Sequence, residues 1–212
     1  MPQNFFIIGS PKVGKTTLLK KLVNELGKES GRKIGGFISP EERHYGTRTG
    51  FSVMDIESGK TNVLASIEGD GPRVGKYHVD VKSFESIALP AMDRNYEIMI
   101  IDEIGIMELK SQKFSDKLDE LIDSRASIVA TLHRDLVDRY GLYGEIFELT
   151  QENRERVYFQ IKERLGEVKK VAAKKEEKTK KSKKVKDDDE DRGSTQKDKR
   201  AFLDHVRELI GV

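Results

Sequence analysis

The segment "GSPKVGKTTLLKKLV" at residues 9–23 is the most informative part of the sequence. It contains a glycine, any four residues, then Gly, Lys and Thr, which is the phosphate-binding P-loop pattern. The apolar run "NFFII" precedes the loop, and leucines at helical spacing follow it. A strand, a glycine loop and a helix in this order are the context that a P-loop requires.

The P-loop pattern predicts a site for nucleotide phosphates. Its backbone N–H groups surround the phosphates at a helix N-terminus, which favours anions. We expect Lys15 to reach the β- and γ-phosphates and the Thr16 hydroxyl to bind Mg²⁺. The candidate nucleotide-binding residues are Gly9, Ser10, Pro11, Lys12, Val13, Gly14, Lys15, Thr16 and Thr17. The alternative is a glycine-rich turn that only caps a helix.

A second motif, "IMIIDEIG" at residues 98–105, is an apolar strand that ends in carboxylates. We expect this strand beside the P-loop strand, with Asp102 as the Walker B ligand of Mg²⁺. Glu103 is the candidate catalytic group, together with Lys15, because a carboxylate there can orient or deprotonate the attacking water. Plain strand caps remain the alternative. The chain lacks the Asn-Lys-any-Asp guanine motif, which disfavours a Ras-like switch.

The rest of the pattern predicts an α/β fold with a mostly parallel sheet flanked by helices. Further strands are expected at 33–39, 127–132 and 145–150, and helices at 83–93, 112–124 and 152–165. The helix after the P-loop is expected to stop at Gly27. Short alternating pieces at about 41–81 indicate an antiparallel β insertion.

Charge divides the chain into a body and a tail. Residues 1–166 hold 24 Lys and Arg against 26 Asp and Glu, whereas residues 167–212 hold 15 against 11. We therefore predict a P-loop domain at 1–166 and a charged, flexible, disordered linker at 167–198. Residues 199–212 form a candidate short amphipathic helix. Its apolar face comprises Phe202, Leu203, Val206, Leu209 and Ile210.

The composition also indicates in which cellular compartment the protein is expected. The chain has no cysteine, which excludes a disulfide framework and a thiolate metal site. No apolar run approaches the roughly 20 residues that span a bilayer, and the N-terminus lacks a signal-like segment. We therefore expect a soluble, cytoplasmic protein with no membrane partner.

The P-loop and four other blocks of the sequence resemble a known family. The four blocks are "GGFISPEER" (35–43), "RVGKYHVDVKSFESIALPAM" (73–92), "IIDEIGIMELKSQKF" (100–114) and "ATLH" (130–133). Together they resemble the THEP-type nucleoside triphosphatases over about residues 4–165. The resemblance implies a RecA-like sheet and magnesium-dependent hydrolysis of several nucleoside triphosphates, ATP and GTP among them, to the diphosphate. Lys12 departs from the family, which more often has glycine there.

Four further side chains are candidates for contact with the reacting phosphate. His133 follows the strand "SIVATL" and is a candidate sensor, with a structural or merely exposed histidine as the alternative. Arg43, Arg48 and Arg73 lie in or beside the β insertion, where one could act as an arginine finger. Solvated or salt-bridged arginines are the alternative for each of them.

Two other function classes stay open at this stage. A P-loop kinase would transfer the γ-phosphoryl group to a small acceptor, but no acceptor pocket is identifiable, and Glu103 favours water. A nucleotide-regulated RNA- or DNA-binding protein would use the lysine-rich tail, which attracts phosphate backbones, for weak binding. The sequence indicates neither an oligomeric state nor a base preference.

Overall fold

The computed structural model describes residues 4–166. The predicted linker at 167–198 and the predicted helix at 199–212 lie outside these residues. The strands are β1 (Phe5–Ile8), β2 (Ile34–Ile38), β3 (Glu41–His44), β4 (Thr47–Asp55), β5 (Thr61–Ser66), β6 (Arg73–Val74), β7 (Tyr77–Val79), β8 (Ile98–Ile104), β9 (Ser127–Leu132) and β10 (Glu145–Glu148). The helices are α1 (Lys15–Ser30), α2 (Val81–Met92), α3 (Gln112–Ile122), α4 (Val137–Tyr140) and α5 (154–166).

All ten strands belong to one mixed sheet in the order β10-β1-β9-β8-β2-β4-β5-β7-β6, with β3 paired to β4. The five strands from β10 to β2 pair in parallel. From β4 onward the pairing is antiparallel. The β insertion therefore extends the α/β sheet that the sequence predicts, from the edge that β2 would otherwise form.

The strand that carries Asp102 is not beside the P-loop strand, so that expectation was wrong. β9 lies between β1 and β8 and pairs in parallel with both. Because the carboxyl ends of parallel strands meet at one edge of a sheet, Asp102 still lies at the same edge of the sheet as the P-loop. Two strand spacings of about 4.8 Å separate β1 from β8.

The core lies on both faces of the parallel strands. Along β1, Phe5 and Ile7 pack with α1 and α5, whereas Phe6 packs into the opposite cluster with α2 and α3. On that second face Phe37, Phe84 and Phe114 meet edge to face, with ring centroids 5.4–5.9 Å apart. Burial on both faces explains the nearly continuous apolar strands.

The first helix is longer than the sequence suggested. α1 runs through Gly27 to Ser30, and Gly31 caps it with a φ of 60° in the left-handed region. An interior glycine costs a helix only about 1 kcal/mol, and the packing of Leu18, Leu22 and Leu26 offsets this cost. None of the helices within residues 4–166 has the length and hydrophobicity of a membrane-spanning segment.

Candidate functional site

The P-loop connects β1 to α1 at the carboxyl edge of the sheet. Gly14 caps the helix with a φ of 103°, which suits a residue without Cβ. Val13 anchors the loop, because its side chain is buried beside α1. Lys15 Nζ donates to the carbonyl oxygen of Gly9 at 2.9 Å. The ammonium group therefore lies against the loop where a phosphate would replace carbonyl oxygens as its partner.

Asp102 is buried, with 3% of its surface exposed. The pairing of β8 with β9 is interrupted here, and the Asp102–Glu103 peptide bond is cis. Oδ1 of Asp102 accepts a hydrogen bond from Thr131 Oγ1 at 2.6 Å. Burial raises the pKa of Asp102, while hydrogen bonds from Thr131 and Thr16 and the charge of Lys15 oppose this shift.

The other carboxylate oxygen of Asp102 fits a metal ion. Oδ2 is buried and has no hydrogen-bond partner. Such an atom is costly to bury unless a ligand satisfies it. It belongs to the same carboxylate that Thr16 contacts, and hard oxygen ligands of this kind are those that Mg²⁺ prefers. Within residues 4–166 no group of three or more His, Cys, Asp or Glu could hold a metal, but Mg²⁺ usually takes only one or two carboxylates besides substrate phosphates.

Glu103 is half-buried next to Asp102. The pKa of Glu103 is raised, mainly because the group is buried, and the negative charge of Asp102 adds to this rise. Lys15 and His133 oppose it. The structure therefore brings Lys15, Asp102, Glu103 and His133 within electrostatic reach of one another. A carboxylate with a raised pKa at this place is suited to accept a proton.

His133 directly follows β9, and its backbone N–H donates to Ile104 at the end of β8. Its Nδ1 accepts a hydrogen bond from the backbone N–H of Asp135 at 3.3 Å. The tautomer with hydrogen on Nε2 is thereby favoured. The sensor role of His133 stays a prediction that its place near Glu103 supports.

The three candidate finger arginines bond within the β insertion. Arg43 and Arg48 share Glu41, and Arg48 Nε also donates to Tyr77 at 2.9 Å. Arg73 Nε donates to the carbonyl oxygen of Gly75 at 3.0 Å. Arg73 lies on β6, at the opposite end of the sheet from β10 and β1. The structure does not bring these arginines into contact with the P-loop or with the carboxylates, and a finger role stays a prediction.

Glu108 is a buried acid that sequence reasoning missed. It lies in the 3₁₀ turn after β8, with 5% of its surface exposed. An ideal Cβ on Gly105 would lie 2.6 Å from Glu108 Oε2 and 3.1 Å from Glu103 Oε1, so the two carboxyl groups converge on one point. Burial raises the pKa of Glu108 well above its usual range, and the charge of Glu103 adds to this effect. Within "GIMELK" it has the pattern of an ordinary surface charge, and no sequence signal separates it.

Arg154, the first residue of α5, was missed for the same reason. Its Nε donates to the carbonyl oxygen of Val13 at 2.7 Å, across 141 residues of chain. In the sequence it is one of several charged residues at the start of a helix. The structure instead places its side chain on the P-loop.

Comparisons with known proteins agree with this site. A family model described as NTPase matches residues 4–162. The nucleoside-triphosphatase THEP1 of Pyrococcus abyssi is 43% identical over 175 residues, which is 81% of this chain and 96% of that protein. THEP1 of Methanocaldococcus jannaschii is 44% identical over 160 residues, which is 74% of this chain and 93% of that protein.

Two solved structures are also similar. The crystal structure of THEP1 from the hyperthermophile Aquifex aeolicus has a TM-score of 0.65 at 36% identity and covers 75% of this chain and 96% of its own. The solution structure of a human cancer-related nucleoside triphosphatase has a TM-score of 0.64 at 34% identity and covers 75% and 95%. With the buried Asp102 and the half-buried Glu103 both within reach of the P-loop Lys15, and with relatives matched over nearly their whole length, this chain belongs to the THEP1 family of nucleoside-triphosphatases.

Proposed function

We propose that this chain hydrolyses nucleoside triphosphates, ATP and GTP among them, to the diphosphate and phosphate with the help of Mg²⁺. The observation that carries this proposal is the unpartnered, buried Oδ2 of Asp102 in a carboxylate that Thr16 also contacts. An unpaired carboxylate oxygen beside a P-loop hydroxyl is suited to a phosphate-bound cation.

The phosphates are bound by the P-loop backbone and by Lys15. On nucleotide binding, the Lys15 ammonium exchanges its contact with the Gly9 carbonyl for the β- and γ-phosphate oxygens. Thr16 and Asp102 would hold Mg²⁺, which neutralises charge that develops on the phosphates. Thr131 fixes the Asp102 carboxylate through Oδ1, which leaves Oδ2 for the metal.

Glu103 orients the attacking water and accepts its proton. Its raised pKa makes it a better base than an exposed glutamate, while the positive charge of Lys15 opposes this rise. His133 also influences the pKa of Glu103, and it would contact the water or the γ-phosphate. A carboxylate that activates water favours hydrolysis over transfer to an acceptor.

The test is phosphate release from ATP, GTP, CTP and UTP, measured with and without Mg²⁺, with the nucleotide products separated by chromatography. We expect diphosphate and phosphate in equal amounts, only with Mg²⁺, from more than one of the four nucleotides. Lys15→Ala serves as the inactive control. Monophosphate with pyrophosphate as the products, or turnover that needs an added acceptor, would overturn the proposal.

The compartment and the tail are separate proposals. We propose a cytoplasmic location, because a chain without cysteine is compatible with a reducing compartment. Residues 169–186 contain ten lysines and two glutamates, and such a run attracts nucleic acid weakly. RNA retention that is lost at high salt, and lost when the chain ends at Gly166, would support this role. Equal retention by both chains would contradict it.

A further inference from the structure

The sheet fixes which way a bound nucleotide points. Glu103 lies at the end of β8, which is two strands from β1 on one side, and β10 borders β1 on the other side. If the γ-phosphate faces Glu103, the nucleoside extends away from β8, because the middle of the phosphate chain lies on the P-loop. The nucleoside then lies on the β10 side of the loop.

The segment that leaves β10 lies directly against the P-loop. The backbone N–H of Leu149 donates to Ile8 at 2.8 Å, and an ideal Cβ on Gly9 would lie 2.6 Å from the Leu149 carbonyl oxygen. Asn153 holds this segment in place, since its side chain accepts from Thr150 N–H at 2.8 Å and donates to Glu148 at 2.9 Å. The next residue is Arg154.

Arg154 lies flat on the P-loop. Its Nε–H bonds in the guanidinium plane to the Val13 carbonyl oxygen. The point that a Cβ on Gly14 would occupy lies 3.2 Å from Nε, 3.5 Å from Cζ and 3.8 Å from Cδ. Distances this similar to three neighbouring atoms place the point over the plane rather than at its edge. One face of the guanidinium therefore packs on Gly14, and Arg154 remains exposed on the other side.

The helix that carries Arg154 is itself fixed to α1. Lys21 on α1 bonds Glu155 at 2.8 Å and lies 4.1 Å from the centre of the Tyr158 ring. Val157 and Ile161 are buried in the core cluster that contains Leu22. Arg154 therefore starts from a fixed backbone position, and a ligand that uses it need not order it first.

We propose that Arg154 binds the nucleoside end of the substrate, by stacking the exposed face of its guanidinium on the base. This inference rests on the proposed function, because the direction of the nucleotide comes from the place of Glu103. A guanidinium plane stacks on any base, since every base has a π-face. Arg154 would thus add affinity without selecting one base, which suits an enzyme that accepts several nucleotides.

The test separates the nucleoside from the phosphates. Calorimetric affinities for ADP and for pyrophosphate, each with Mg²⁺, are compared between wild type, Arg154→Ala and Arg154→Lys. Arg156→Ala is the matched control, because it removes an exposed arginine from the same helix. We expect both Arg154 variants to lose about tenfold in ADP affinity, with pyrophosphate affinity within about twofold of wild type. Arg156→Ala should change neither affinity.

Each other outcome overturns the stacking role. An equal loss for ADP and pyrophosphate would mean that Arg154 acts on the phosphates or only supports the P-loop. Full ADP affinity in Arg154→Lys would mean that charge, not the planar group, is what counts. The same comparison with GDP, CDP and UDP should give losses of similar size, and a loss confined to one base would refute tolerant stacking. A wild-type chain that binds ADP but releases no phosphate would overturn the proposed function and leave this comparison readable.

Discussion

Replacing Gly105 with alanine tests whether the carboxyl groups of Glu103 and Glu108 converge as the structure shows. The added Cβ would lie 2.6 Å from Glu108 Oε2, 3.0 Å from Glu103 Cγ and 3.1 Å from Glu103 Oε1. Gly105 is not among the glycines with positive φ, so alanine fits the backbone there. The substitution therefore changes only the space between the two acids.

The size of the effect follows from these distances. Ordinary contact between carbon and oxygen begins near 3.4 Å, so Glu108 must move by about 0.8 Å, and it is too buried to turn into solvent. Overpacking of this kind costs about 1–3 kcal/mol, and each kcal/mol lowers Tm by about 2–4 °C in a domain of this size. Because Glu103 is displaced too, we expect kcat to fall by about tenfold to a hundredfold. KM should change little, since the P-loop is untouched.

The assay combines thermal unfolding with steady-state phosphate release from ATP. Gly27→Ala is the matched control, because Gly27 lies inside α1 with nothing within 4 Å of its Cβ position. It should raise stability by about 0.5–1 kcal/mol and leave kcat unchanged. The double substitution Gly105→Ala with Glu108→Ala should recover part of kcat, because it removes the closest contact. Wild-type Tm and kcat in Gly105→Ala would refute the convergence of the two acids.

Four further predictions concern single residues of the site. Lys15→Ala should lose both nucleotide binding, measured by calorimetry, and turnover, and normal turnover would contradict the P-loop assignment. Glu103→Gln should still bind nucleotide while kcat falls by about 10²-fold or more. Normal kcat in this variant would mean that another group activates the water. Asp102→Asn should raise the Mg²⁺ concentration needed for half-maximal rate. The pKa of Glu108 is raised in the folded state, so the folded chain binds more protons than the unfolded chain between the unfolded pKa of about 4.5 and the higher folded pKa. The contribution of Glu108 to the free energy of unfolding therefore falls as pH rises through this range. Glu108→Gln lacks this loss, and the difference in Tm, variant minus wild type, should increase between pH 5 and pH 8; a constant difference would argue against a buried, neutral Glu108.

Local patterns in the sequence were enough to predict the fold class. The P-loop and the two apolar strands have residues whose types are fixed by nearby constraints, namely the positive φ at Gly14 and burial on both faces of β1 and β8. The family resemblance and the α/β class were confirmed. Helix ends were less predictable, because Gly27 is compatible with a helix that has a strong apolar face, and only the backbone shows that Gly31 is the cap.

Strand order could not be read from the chain. A motif shows that Asp102 ends a buried strand, but neighbours in a sheet are set by how the crossover helices pack. β9, which comes later in the sequence, takes the place beside β1. Its insertion has a chemical consequence, since Thr131 on β9 is what holds Asp102. No spacing between residues 102 and 131 predicts that contact.

The two residues that the sequence did not reveal act on residues that it did. Glu108 touches the surroundings of Glu103, and Arg154 touches the backbone of the P-loop. Neither residue belongs to a motif with fixed spacing, because each is positioned by a separate element. Glu108 lies in the turn after β8, and Arg154 lies at the start of α5. A P-loop motif specifies the phosphate end of a nucleotide by itself, since the loop supplies its own N–H groups and lysine. The nucleoside end has no such local device here, and in our proposal its contacts come from the segment that the sheet places beside β1 on the side away from β8. In this chain that segment follows β10, which is why a contact across 141 residues, from Arg154 to Val13, points to the part of the site that no motif describes.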